Sequence, residues 1–361
     1  MGSRGRFFDG GIGHGVKACL CVSIFTLLVS PLFCARAANG TAGDAHPNAI
    51  LIGWDGAQRQ HVKEALARGQ LPNLGALSRE GTIVAIDILR ETGSKAGWAQ
   101  ILTGYEPETT HVFSNSNFGA IPKGYTIFER LEGFFGPESM FTAAVISKYE
   151  NLGTLPAGKR PVTDLRDIGR IRGTPRGARA GRVSEGGQDS VKYVWAPAQP
   201  FWLTKDSVDV FLNGLGPDDS VGVKAQELLS EAAKKHFFFF IQLGEIDEAG
   251  HIYGENSSQY DAALESADKW LGSIVAQLKS LGIYDRTLIY VVSDHGFDEG
   301  RNIHSDAPYA FLATNDATVM RAGGRADIAP TIMERMGLDL SKISPALDGH
   351  PLSRPYESPK W

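Results

Sequence analysis

Short, unbroken apolar runs alternate along this chain with longer stretches in which apolar residues recur every three or four positions. The runs at 48–54, 82–89, 141–147, 237–243, 288–292 and 309–313 read as buried strands. The stretches at 57–68, 72–79, 94–103, 126–135, 220–235, 258–281 and 328–336 read as helices, with Gly104 and Gly337 closing two of them. The 258–281 segment is the clearest: Tyr260, Leu264, Ala267, Leu271, Ile274, Leu278 and Leu281 form one stripe, which is the signature of core packing. Strands alternating with helices predict right-handed crossovers and a doubly wound α/β domain, its largely parallel sheet covered on both faces. In such sheets ligands bind beyond the carboxyl ends of the strands.

Residues 151–218 break this rhythm and are expected to form one irregular insertion or cap. Between Lys159 and Arg182 lie seven Arg and one Lys against two Asp, with Gly and Pro throughout, as in a solvated surface loop. The alternative is a cap whose arginines attract an anionic substrate. Trp195, Phe201 and Trp202 could then add an apolar wall, or else anchor the loop to the body.

Residues 1–37 read as a signal peptide. Arg4, Arg6 and Lys17 precede an apolar stretch at 18–33, and Ala35-Arg36-Ala37 fits a small-x-small cleavage site. Ser23, Ser30 and Pro31 interrupt that stretch, which is short for a membrane span of about 20 residues, so no stable span is expected after cleavage. The expected location is periplasmic or secreted. All three cysteines (Cys19, Cys21, Cys34) fall inside the leader, so the exported chain has no disulfide and depends on a packed core. The rest, residues 48–361, suffices for one large catalytic domain. The whole chain carries −5, and losing a basic leader makes it more acidic, which argues against a nucleic-acid-coating role.

The candidate chemistry sits at the ends of three of the apolar runs. Asp55 follows the first; Asp247-Glu-Ala-Gly-His251 follows the run at 237–243; Asp294-His295 follows the run at 288–292, with His304 nine residues beyond His295. Carboxylates mixed with imidazoles suit zinc or a similar divalent ion, and six ligands are enough for two ions. A lone Asp or His after a strand is ordinarily a cap or a satisfied polar group, but three strand ends carrying the same chemistry imply a binuclear metallohydrolase. Such a site needs a nucleophile, and Ser94 stands at the start of a predicted helix, where backbone N–H groups favour an anion. Thr92 is the reserve candidate, while His46, His61, His111, His236 and His350 show no partner pattern.

Taken in order, Trp54-Asp55-Gly56, Ser94 ten residues before Gly104, Asp247-x-x-x-His251, Asp294-His295-Gly296 and His304 resemble the alkaline phosphatase superfamily, nearest the type I phosphodiesterase/nucleotide pyrophosphatase group. The resemblance runs from about Ile50 to Gly349. It implies two zinc sites, one held by Asp247, His251 and His304 and the other by Asp55, Asp294 and His295, with Ser94 directed toward the second. It also implies in-line attack by Ser94 on a small-molecule phosphate ester, expected to be a diester, through a covalent phosphoseryl intermediate.

The chain departs from that pattern at two positions. Ser94 replaces Thr, and Gly97 stands where an Asn would hold a nonbridging phosphoryl oxygen, leaving Lys95 or an insertion arginine as substitutes. Trp98 and the insertion aromatics could contact the second ester group of a diester. A sulfatase-like reading fits Ser94 and Ala96, but Trp98 takes the place of its Arg, and Asp294-His295 the place of its Asp-Asn pair. Phosphomonoester cleavage, or metal binding without turnover, are the remaining alternatives.

Overall fold

The computed structural model describes residues 46–89, 91–161, 180–181 and 193–355. Residues 1–37, expected to be a leader, and most of the arginine-rich run, including Arg166, Arg170, Arg172, Arg176, Arg179 and Arg182, lie outside the described residues.

The elements that position the site are β1 (Asn48–Trp54), α1 (Arg59–Ala67), α2 (Pro72–Glu80), β2 (Thr82–Asp87), α3 (Ser94–Thr103), α4 (Pro107–Thr110), α5 (Ile127–Phe135) and β3 (Met140–Ile146). Within the insertion come β4 (Gly158–Pro161), β5 (Ala180–Gly181), β6 (Tyr193–Ala196) and β7 (Val210–Asn213). The chain then runs through α6 (Asp218–Ala232), β8 (His236–Leu243), α7 (Glu245–Tyr253), α8 (Ser258–Ser280), β9 (Thr287–Val292), β10 (Tyr309–Thr314) and α9 (Ile328–Arg335).

Seven strands form one sheet in the order β2-β10-β9-β1-β8-β3-β7. All neighbours are parallel except β10, which runs antiparallel to both β2 and β9. The sheet is thus largely parallel and covered on both faces, as the alternation predicts. Strand β8 shows why its sequence is apolar without a break. Phe237, Phe239 and Ile241 pack under α1, α2, α6 and α8, whereas Phe238 and Phe240 face the opposite layer of α3, α5 and α9. A strand buried on both faces has no polar side to alternate with.

The α8 stripe is buried from Tyr260 to Leu278, but Leu281 is the C-cap and stands exposed. The insertion is less irregular than expected. Its last segment returns as β7, which pairs in parallel with β3 at the edge of the main sheet, while β4, β6 and β5 form a separate three-stranded sheet. The aromatic residues divide: Phe201 is fully buried as an anchor, and Trp195 on β6 is exposed. Among the described residues no helix is long and apolar enough to cross a membrane.

Helix α3 is enclosed almost completely, with every residue but Lys95 buried. Small residues make this close approach feasible. At Gly53 of β1 a Cβ would lie 2.4 Å from the Trp98 ring, so the strand must carry glycine for the helix to seat its indole. Trp98 is therefore core and touches no substrate, correcting the expectation drawn from its position beside Ser94. Gly104, at φ +77°, ends the helix in the left-handed conformation that glycine adopts at no steric cost.

Candidate metal centre and nucleophile

The three aspartates come from the ends of three neighbouring strands, β9, β1 and β8. Asp55 follows β1 directly and is held by its own N–H, which donates to Leu243 O at 3.1 Å. Asp294 follows β9 after Ser293 and accepts the Gly56 N–H at 3.2 Å. Asp247 arrives differently, on the first turn of α7, a short helix of nine residues that the sequence pattern did not single out. The helix puts Asp247 and His251 on one face, one turn apart.

Each of these carboxylates is buried, and each leaves one oxygen without a donor: Asp55 Oδ1, Asp247 Oδ1 and Asp294 Oδ2. All three lie around His295 Nε2, at 3.4, 3.9 and 3.4 Å respectively. Buried polar atoms are ordinarily satisfied, so three orphaned oxygens facing one imidazole nitrogen mark a place for a cation. His295 Nδ1 pairs with Gly296 O at 3.0 Å, and His251 Nδ1 with Asn302 O at 2.9 Å. A ring held in this way turns the lone pair of Nε2 toward the centre. His304 stacks on His295 with ring centroids 3.9 Å apart.

Two sets of ligand atoms lie close enough together to share an ion: Asp247, His295 and His304, and Asp55, Asp294 and His295. His295 belongs to both. His251 stands at the rim, with Nε2 3.4 Å from Asp247 Oδ1 and its ring 5.0 Å from that of His304. All six predicted ligands thus meet in one cluster, although the compact triads divide them differently from the family pattern.

Electrostatics follow from burial. Desolvation raises the Asp55 and Asp294 carboxyls, and for Asp294 the neighbouring Asp55 and Asp247 raise it further. For Asp247 burial acts upward, but Lys148, His295 and His251 outweigh it and hold the group below its usual range. Burial lowers His295 and His304 to about 4, leaving both imidazoles neutral and able to ligate near neutral pH.

Ser94 is the first residue of α3 and is not its N-cap, a place taken by Gly93. Its Oγ lies 3.1 Å from His295 Nε2, within the cluster. Thr92, the reserve nucleophile, instead donates its hydroxyl to the His304 carbonyl. Position 97 cannot hold the expected Asn. A Cβ there would meet Asp294 Cβ at 2.9 Å and Arg325 Nη1 at 3.0 Å. The amide near the nucleophile is Asn115, whose Oδ1 accepts the Lys95 N–H at 2.9 Å and whose carboxamide would lie 3.0 Å from a Cβ at Gly93. Of the named substitutes, Lys95 is half-buried beside Ser94, and desolvation lowers its ammonium, with Nζ 5.6 Å from the Phe118 ring centroid.

Sequence reasoning missed two cations. Lys148, just after β3, binds Asp247 Oδ2 and lies 3.7 Å from Asp55 Oδ2. Burial works against its charge, but Asp55 and Asp247 reverse that and raise it. Asn151 and Gln242 donate to the same Asp55 oxygen at 2.5 and 3.2 Å. Arg325, 4% exposed, donates to Asp294 O at 3.0 Å and Glu91 O at 2.6 Å. Burial draws it down to about 10. A lone Lys or Arg in a loop carries no sequence signal of such contacts.

A largely parallel seven-stranded sheet with an Asp/His cluster beyond three central strands and a serine at an adjoining helix start defines the architecture of the alkaline phosphatase superfamily. Over 87% of its length the chain superposes on a Vibrio parahaemolyticus protein of that superfamily, covering 71% of the latter at a TM-score of 0.54 and 16% identity. Residues 49–340 match the type I phosphodiesterase/nucleotide pyrophosphatase model, and the chain belongs to that family. It is 25% identical over 131 residues to ectonucleotide pyrophosphatase/phosphodiesterase family member 1 of Mus musculus, across 30% of this chain and 14% of that protein. It is 29% identical over 129 residues to the venom phosphodiesterase CdcPDE of Crotalus durissus collilineatus, across 29% of this chain and 16% of the relative. These matches therefore span only a small part of those longer proteins.

Proposed function

We propose that the protein is an exported phosphoric ester hydrolase, acting on small-molecule phosphodiesters through two divalent ions, zinc by ligand chemistry, and a phosphoseryl intermediate on Ser94. The observation that carries the reading is the set of three buried, donorless carboxylate oxygens around His295 Nε2, with Ser94 Oγ 3.1 Å from the same nitrogen. Asp55, Asp247, Asp294, His251, His295 and His304 would hold the metal. When bound, the ions would neutralise charge on the serine and on the departing oxygen.

The chain's own groups do the rest. Ser94 Oγ loses its proton to solvent and forms a bond to phosphorus, while the bond from phosphorus to the leaving oxygen breaks. The N-terminus of α3 favours the negative charge on the attacked group. Asn115, beside Gly93, donates to a nonbridging oxygen in the role first expected of position 97. Water then attacks phosphorus, the Ser94 O–P bond breaks, and Ser94 regains a proton.

The test combines metal analysis with a substrate panel. Protein lacking residues 1–37 is expected to hold two zinc ions per chain and to lose turnover reversibly on chelation. It is expected to cleave diesters faster than the matching monoesters, and both faster than sulfate esters. Ser94→Ala is expected to cut turnover by roughly three orders of magnitude or more with zinc retained. One ion per chain, with calcium restoring activity toward sulfate esters, would replace this reading with the sulfatase-like one.

A further inference from the structure

The loop that delivers Ser94 has little regular structure of its own, yet it is tied at both sides to the loops that carry metal ligands. Glu91 O accepts from Arg325 Nη2 at 2.6 Å, and Arg325 Nη1 donates to the backbone O of Asp294 at 3.0 Å. Next along the chain, the Thr92 hydroxyl donates to His304 O. Glu91 Oε1 accepts the Gly93 N–H at 2.9 Å and completes the turn into α3.

Arg325 donates to two main-chain carbonyls, and the nearby charges of Asp294, Glu106 and Glu91 support its own against the cost of burial. A buried guanidinium costs more than a neutral residue there unless its geometry is needed. Its rigid fork ties the Glu91 backbone directly to the Asp294 backbone, beside the Ser94–His295 contact at 3.1 Å, a two-point bridge that a flexible lysine cannot match. Gly97 makes room for it, since a Cβ there would lie 3.0 Å from Nη1.

We infer that Arg325 is a positioning residue, which fixes the distance between the Glu91–Ser94 nucleophile loop and the Asp294 end of the metal cluster. It touches neither substrate nor metal. This rests on the reading of Ser94 as nucleophile, and it assigns the alignment of that serine to a side chain over 200 residues away in sequence. Misalignment of reacting groups by about 1 Å costs on the order of 100-fold in rate.

The experiment uses full-length and leader-deleted protein with Arg325→Ala, Arg325→Lys and Thr92→Val. Arg325→Ala is expected to lower kcat by about 100-fold, with KM for a diester changed less than about threefold. Zinc content is expected to stay at the wild-type value. Free guanidinium at millimolar concentration is expected to recover about tenfold of the lost kcat in Arg325→Ala and nothing in wild type. Arg325→Lys should lie between wild type and Arg325→Ala.

A second readout needs no turnover. Hydrogen–deuterium exchange in metal-free Arg325→Ala is expected to rise in the peptide covering 91–94 and to stay unchanged in β1 and β8. Thr92→Val should give a smaller rise in the same peptide. Unchanged exchange and unchanged kcat would overturn the inference. So would a loss of zinc with kcat per bound zinc intact, since that would make Arg325 a fold or ligand support only. If wild type binds zinc but cleaves no phosphate ester, the hydrolase reading fails while the exchange measurement still decides the role of Arg325.

Discussion

Placing a side chain at position 97 distinguishes the sequence-level expectation from the packing. If Gly97 marks a lost phosphate-binding residue, Gly97→Asn should improve catalysis. The structure demands the opposite. A Cβ at 97 would lie 2.9 Å from Asp294 Cβ, 3.0 Å from Arg325 Nη1 and 3.2 Å from Asp294 O, all well inside ordinary carbon contact distances near 3.5–4.0 Å. None of these neighbours is a loose chain end: Asp294 is fully buried, and Arg325 is bonded to two carbonyls. Relief therefore requires Asp294 to retreat by roughly half an ångström or more, with overpacking costing about 1–3 kcal/mol. Because Asp294 Oδ2 faces His295 Nε2 at 3.4 Å, the retreat opens the metal cluster directly. Gly97→Ala is expected to weaken zinc binding about 10–100-fold, on the scale of losses from disturbed ligand support. Gly97→Asn should be worse still. Competition against a chromophoric chelator gives the affinity, thermal melting of metal-free protein gives the packing cost, and kcat/KM for a diester gives the outcome. Wild-type affinity and melting in Gly97→Ala, or higher activity in Gly97→Asn, would refute the argument.

Two other substitutions probe the surroundings of the centre. Lys148→Met removes the cation shared by Asp247 and Asp55; with its partners buried, the metal-free protein should lose about 3 kcal/mol, and zinc should restore most of it. Equal losses in melting temperature with and without zinc would show that Lys148 does not act by neutralising those carboxylates. Asp218 caps α7 by accepting from Gly244 N at 2.7 Å, and burial, aided by Glu245, raises its carboxyl to about 7. The folded state therefore holds this proton over a range where the unfolded chain releases it, so the group's contribution falls as pH rises from about 4 to 7 and is flat above. The full difference is on the order of 4 kcal/mol. Asp218→Asn should flatten the fall of melting temperature over that range, and an unchanged pH profile would contradict it.

The parts of the fold readable in advance were those whose burial leaves a compositional trace. Strands β1, β8 and β9 are buried on both faces and hence read as apolar runs, and the aspartates at their ends follow from that reading. Helix α8 was legible because a single packed stripe repeats at the helical period. By contrast, α7 spans only nine residues and buries just Ile246 and Ala249 of its apolar side chains in the core, too short a stripe to show a helical period. Strand β7 was hidden because an edge strand of four half-buried residues is too short to stand out, even with Val210, Phe211 and Leu212 apolar. The six candidate ligands were visible because metal chemistry restricts residue type, and the fold gathers them in one cluster. Lys148, Arg325, Asn115 and Gly97 were not, because their roles depend on which distant backbone or carboxylate they meet.

The adjacency of β9, β1 and β8 has a consequence for how such a centre can change. Neighbouring strands lie about 4.8 Å apart whatever their side chains, because main-chain hydrogen bonding sets the interval. Asp55 and Asp294, each two residues beyond the paired Gly53 and Val292, are therefore spaced by the ladder itself, which keeps both carboxylates within reach of one shared cation. Exchanging one ligand type for another at a strand end alters which metal is preferred without altering the separation. The geometry of the pair is inherited from the backbone, and only its chemistry is left to individual substitutions.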